Sequence, residues 1–123
     1  MAVGLPPSAP VVPVLSDQPL LEAGNRLLQL SKTGSVLITL GEHGMLLFQS
    51  GSQPYSTPTR AKDVFDVSGA GDTALSVFTL GLAAGATPAE AAELANRASG
   101  IVVGKLGTAT VTPAELQAGF AQV

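Results

Sequence analysis

The sequence predicts an α/β domain, and three observations carry that expectation. Two short apolar runs flank a Gly-bounded turn, a Gly-rich run stands at the start of a helix, and two Thr-Pro-Ala-Glu tetrapeptides announce further helices. A chain of 123 residues is one domain at most, with room for one site. Hydrophobic residues make up 46% and charged residues only 12%, too apolar for disorder and sparsely charged for a free-standing globule. Part of that apolar surface is expected to meet a partner or a missing half.

The elements follow in chain order. Residues 1–15 form a Pro-rich leader, expected to be loose; with no positively charged start it fails as a signal peptide. The folded domain is expected over residues 16–123. Ser16-Asp17 offers an N-cap, and Leu20, Leu21, Leu27 and Leu28 recur at helical spacing up to a stop at Lys32-Thr33-Gly34. Val36 to Leu40 and Met45 to Phe48 suit two buried strands joined by Gly41-Glu42-His43-Gly44, and a weaker strand is expected around Gln53 to Ser56. Pro58 to Lys62 reads as a connection and Val64-Phe65 as a strand end. A helix then runs to Ala84 with Gly85 as its stop. Thr87-Pro88-Ala89-Glu90 combines an N-cap, Pro at the first helical position and a capping-box Glu, and that helix continues through Asn96 towards Val103. Thr112-Pro113-Ala114-Glu115 repeats the start signal, but the residues that follow differ, so these are local helix starts and not a repeat.

Several function classes drop out. The net charge is -3 and the basic residues Arg26, Lys32, Arg60, Lys62, Arg97 and Lys105 are scattered, which leaves no footprint for nucleic acid. Without Cys there is no disulfide framework and no thiolate metal site, and a cytoplasmic setting is the default expectation. The stretch from Ala74 to Ala86 is too short to span a bilayer. A P-loop pattern and a Gly-x-Ser-x-Gly elbow are both missing. His43 has no second His or Cys near it in sequence and reads as a solvated turn residue. Lys105 reads as an ordinary basic residue in a helix's last turn, with contact to phosphate as its functional alternative.

Asp66-Val67-Ser68-Gly69-Ala70-Gly71-Asp72-Thr73 is the informative segment. Small residues let the backbone approach a ligand, and their amides, gathered at a helix N-terminus, present the positive end of the dipole to an anion. Asp72, in the first turn, would lie beside that anion and could accept a proton from an attacking hydroxyl. The plainer reading makes Gly69 and Gly71 a tight turn and Asp72 a helix cap.

The whole string resembles the C-terminal signature of the PfkB carbohydrate kinases. Within that family, Asp63 to Thr73, Ala95-Asn96 and Val102-Val103-Gly104-Lys105-Leu106-Gly107-Thr108-Ala109-Thr110-Val111 are similar to the heptose 7-phosphate kinases of ADP-heptose synthesis. The likeness runs from about Leu20 to Leu116 and implies the C-terminal part of a ribokinase-like α/β fold, with a few strands and about four helices. It further implies transfer of the ATP γ-phosphate to a sugar hydroxyl, Asp72 as catalytic base, and Gly69, Ala70 and Gly71 as the anion hole. Thr39, Gly41 and Gly44 would lie by the nucleotide and Asn96 near the adenine. Asp66 and the Ser68 backbone resemble a monovalent-cation site, which would take K⁺, while Mg²⁺ would arrive with the nucleotide. The family's Gly-Gly sugar motif, lid strands and Asn-x-x-x-Glu segment have no counterpart here. The implied partners are a nucleotide and a sugar phosphate, together with a separate N-terminal half or further copies of the chain. The rival reading is a nucleotide-binding remnant or interaction module without an acceptor site.

Overall fold

The computed structural model describes residues 2–4, 14–61 and 64–121, with side chains described over 14–61 and 64–120. The chain divides into two compact units, residues 1–58 and 59–123. Each is built around its own set of contacts.

The first unit is a four-stranded sheet, β1 (Ala2–Gly4), β2 (Ser35–Thr39), β3 (Met45–Gln49) and β4 (Tyr55–Thr57), in that spatial order, with helix α1 (Gln18–Ser31) packed on it. β1 is parallel to β2, and the other two pairings are antiparallel. Within the segment expected as a loose leader, Ala2–Gly4 is therefore a paired strand, because the edge of β2 offers it backbone partners from Leu37 to Thr39. The rest of the Pro-rich stretch, residues 5–13, lies outside the described residues. The third expected strand also shifts, to Tyr55–Thr57, where its register is set by pairing with Met45 to Leu47.

The register of β2 on β3 sets Val36 against Phe48 and Ile38 against Leu46, so their side chains share one face. That face is buried against Leu20, Leu21, Leu27 and Leu28, the leucines whose spacing predicts α1. Leu37 and Leu47 point the other way and are fully buried too, which explains why both strands are apolar throughout instead of alternating. Asp17 caps α1 by accepting the Leu20 amide at 3.1 Å. At Gly24 the helix comes so close that an added methyl would run into the Phe48 ring.

The second unit is three helices, α2 (Ala70–Ala83), α3 (Pro88–Val102) and α4 (Pro113–Ala121). Small residues let α2 and α3 pack closely: a methyl built on Gly81 would sit 3.1 Å from the Ala91 methyl. α3 buries Ala91, Ala92, Ala95, Ala98 and Val102 on one stripe. Its start is the capping box that the sequence predicts, with the Glu90 amide donating to Thr87 Oγ1 at 3.2 Å and the Thr87 amide donating to Glu90 Oε1 at 2.9 Å. Thr112 and Glu115 make the same pair of bonds at α4. Val64-Phe65 is not a strand end. Both side chains are exposed, and the Phe65 and Asp66 amides donate to the Val103 carbonyl at 2.7 and 3.0 Å, so the segment is pinned to the end of α3. Among the described residues, no helix is long and apolar enough to cross a membrane.

Candidate active site

The sequence-predicted site residues fall into two groups, one in each unit. In the first unit, Thr39 ends β2 and Gly41 and Gly44 bound the turn to β3. Gly41, at φ 56°, is exposed with open space where a side chain would stand. Gly44 is different. It is buried at φ 83°, and a side chain there would collide with the Thr57 carbonyl and the Pro58 backbone. Its carbonyl accepts the Leu40 amide at 2.8 Å, so Gly44 closes the hairpin.

In the second unit, Asp66, Ser68, Gly69, Ala70, Gly71 and Asp72 come together at the start of α2. Gly69 is the N-cap and sits in the left-handed region at φ 77°, ψ 1°, a conformation that Gly takes without strain. The Ala70 amide donates to the Val67 carbonyl at 3.2 Å, closing the turn that leads in. The first bond of the helix ladder runs from the Thr73 amide to the Gly69 carbonyl at 3.0 Å. That leaves the Gly71 and Asp72 amides without an intrahelical acceptor. α1, α3 and α4 fill this position with a side-chain oxygen from Asp17, Thr87 or Thr112, whereas α2 has no side-chain cap. Its N-terminus is open and carries the positive end of the dipole.

Asp72 stands in this first turn, exposed, and its carboxylate makes no hydrogen bond or ion pair with another described residue. It does not cap the helix. Ser99, on α3, donates its hydroxyl to the Ala70 carbonyl at 3.2 Å and so ties the opening turn of α2 to its neighbour. Asn96 lies one turn earlier on α3 and is buried, at 4% exposure, among the alanines of that helix.

Asp66 is held from two sides. Its Oδ1 accepts the Ser68 amide at 2.9 Å and its Oδ2 accepts the Gly107 amide at 3.1 Å, across a sequence separation of 41. Bonds from the Ser68 hydroxyl and then the Ser68 amide, with the Gly107 amide adding to them, hold its carboxyl below the usual carboxylate range against the upward push of desolvation. Gly107, Thr108, Ser99 and the Val103 carbonyl were not singled out as site residues by residue type. Their contacts span long stretches of chain, and the one sequence signal is the family-like string from Val102 to Val111.

Lys105 is held by two partners. Its ammonium pairs with Glu115 Oε2 at 2.7 Å and donates to the Thr110 carbonyl at 2.7 Å, fastening the turn after α3 to α4. Among the described residues no group of three or more His, Cys, Asp or Glu could hold a metal ion.

The chain is 50% identical over 102 residues to Bifunctional protein HldE of Erwinia tasmaniensis, a match covering 83% of the chain and 21% of that protein. It is 54% identical over 105 residues to Bifunctional protein HldE of Desulfatibacillum aliphaticivorans, covering 85% and 22%. The chain thus spans about a fifth of the length of these curated relatives. In structure it is similar to ribokinase from Thermotoga maritima, with a TM-score of 0.76 at 25% identity, over 96% of this chain and 42% of that one. The fold is thus part of a ribokinase-like α/β domain. Residues 15–115 match the pfkB family carbohydrate kinase, and the chain belongs to that family.

Proposed function

We propose that this chain supplies the phosphate-binding and catalytic-base segment of an ATP-dependent sugar kinase, acting on heptose 7-phosphate to give heptose 1,7-bisphosphate. The observation that carries the reading is the N-terminus of α2 over Gly69-Ala70-Gly71, which has no side-chain cap, with the exposed carboxylate of Asp72, unpartnered among the described residues, in the same turn. Family membership supports sugar phosphorylation, and similarity to the HldE proteins supports a heptose acceptor.

In this reading the Gly71 and Asp72 amides donate to the transferring phosphoryl group, and the open space at Gly71, where a built Cβ meets nothing within 4 Å, permits its approach. The Asp72 carboxylate accepts the proton of the attacking hydroxyl as the new P–O bond forms and the bond to ADP breaks. Thr39, Gly41 and Gly44 bound a nucleotide contact and Asn96 an adenine contact. Mg²⁺ would arrive with ATP and would supply neutralisation of phosphate charge. A monovalent cation such as K⁺ suits the oxygen donors beside the loop. The Asp66 carboxylate accepts the Ser68 amide and hydroxyl and the Gly107 amide, and its remaining acceptor capacity with the Ser68 backbone would hold a hard, weakly charged ion whose field adds to that of the amides.

The test mixes the chain with the remaining portion of an HldE kinase domain and follows ADP release with heptose 7-phosphate, heptose and ribose. Release with heptose 7-phosphate that disappears in Asp72→Asn is the expected result. No nucleotide binding and no release under any pairing would refute the reading.

A further inference from the structure

The turn Gly104–Thr108, after α3, touches the loop that opens α2 at two points, and neither contact belongs to a helix or strand ladder. The first is Asp66, whose two carboxylate oxygens bridge the Ser68 amide, one residue before Gly69, and the Gly107 amide. The second is Thr108. A Cβ built on Gly69 would lie 2.8 Å from Thr108 Cγ2, so the threonine methyl occupies the space that any side chain at Gly69 would need. The turn is itself anchored, because Lys105 within it is held by Glu115 and the Thr110 carbonyl, and the Val103 carbonyl just before it accepts the Phe65 and Asp66 amides. Gly69 therefore sits between its own helix and a braced wall.

We infer that Asp66 and Thr108 are positioning residues for the phosphate loop: the carboxylate fixes where the loop enters and the methyl fixes the left-handed Gly69, so that the Gly71 and Asp72 amides point at one place. This rests on the kinase reading for its consequence but not for its geometry. Preorganised donors are worth much more than donors that must be ordered by the ligand, so loosening either contact weakens phosphate binding without touching the adenine side.

The experiment uses the 123-residue chain and three variants, Asp66→Asn, Thr108→Gly and Thr108→Val. Asparagine keeps one oxygen acceptor of the two, glycine removes the methyl, and valine keeps it. Amide hydrogen exchange at residues 68–70 and 107 is measured without ligand, and calorimetric titrations with ADP and with adenosine follow. Asp66→Asn and Thr108→Gly are expected to speed exchange in the loop about tenfold and to weaken ADP by about tenfold, with adenosine unchanged. Thr108→Val is expected to restore both values. Loop exchange within twofold of wild type in Asp66→Asn and Thr108→Gly overturns the inference whatever the titrations show, as does equal weakening of ADP and adenosine. Global unfolding of both variants overturns it too, since the residues would then be holding the fold. If the wild-type chain binds no ADP, the kinase reading fails while the exchange measurement still decides the positioning.

Discussion

Gly69 and Gly71 stand two residues apart and ask opposite things of a side chain. At Gly69 the backbone is left-handed and Thr108 fills the space, so Gly69→Ala should destabilise the fold, by about 1 to 2 kcal/mol on the strain of a non-glycine residue there alone. At Gly71 a built Cβ meets nothing within 4 Å, and the residue lies inside α2, where Ala is favoured over Gly by up to about 1 kcal/mol. Gly71→Ala is therefore expected to raise the melting temperature while weakening ADP, and Gly71→Val to fold while losing phosphate binding more completely. Unchanged ADP affinity in a folded Gly71→Val chain would show that the loop is only a turn. Asp72→Asn keeps shape and removes charge. In an assembled kinase it should leave nucleotide affinity nearly unchanged and cut turnover by a factor on the order of 10² to 10⁴. Asp66 makes a pH prediction. Its folded pKa lies below the ordinary 3.8, so its contribution to stability is present above that value and is lost as pH falls through the folded pKa. The urea midpoints of wild type and Asp66→Asn should accordingly converge as pH is lowered from 5 to about 3; a constant gap would show that Asp66 acts without its charge. The glycines and both aspartates were legible in the sequence as a Gly-rich helix start, and Gly69 is the N-cap of α2. The brace behind them was not, because a contact between Asp66 and Gly107 leaves no local pattern.

At the scale of elements, the helices were the most legible feature, since each begins with chemistry that a sequence displays. Asp17, Thr87 and Thr112 bond to amides three residues on, as their spacing predicts. Thr87→Ala should cost about 1 kcal/mol in chemical denaturation, the usual worth of an N-cap. The Lys105–Glu115 pair is short but half-exposed, so a double-mutant cycle should return less than about 1 kcal/mol for it, falling with salt. Strand limits were less legible. Val64 and Phe65 look like a buried strand end by residue type, yet both are exposed, because the backbone there bonds to Val103 and not to a sheet. β4 begins two residues later than expected, since pairing with β3 and not local propensity sets its limits. β1 was read as leader because three residues hold no periodicity, and only the parallel edge of β2 makes them a strand.

At the scale of the molecule, each unit keeps its own packed interior, and several large apolar side chains nevertheless remain exposed. Phe65 is 70% exposed, Val67 68% and Leu106 80%, all close in sequence to the phosphate loop or its brace. The relatives that the chain resembles are about four times its length, and the sugar motif that the family resemblance implies has no counterpart in these residues. Phosphoryl transfer depends on holding an acceptor hydroxyl in line with the γ-phosphate, and that positioning supplies much of the rate. The proposed phosphate loop and base lie in this chain, while the Gly-Gly sugar motif and lid strands that the family resemblance implies have no counterpart in its sequence. The 123-residue chain assayed alone is therefore expected to bind ADP weakly and to release no ADP from ATP in response to heptose 7-phosphate, heptose or ribose. It should also self-associate through its exposed apolar residues. A coupled ADP-release assay beside size-exclusion chromatography checks both. Sugar-dependent release well above that of an Asp72→Asn control would show that an acceptor site is assembled from this segment, and its disappearance on dilution, together with a shift to monomer, would place that site between copies of the chain.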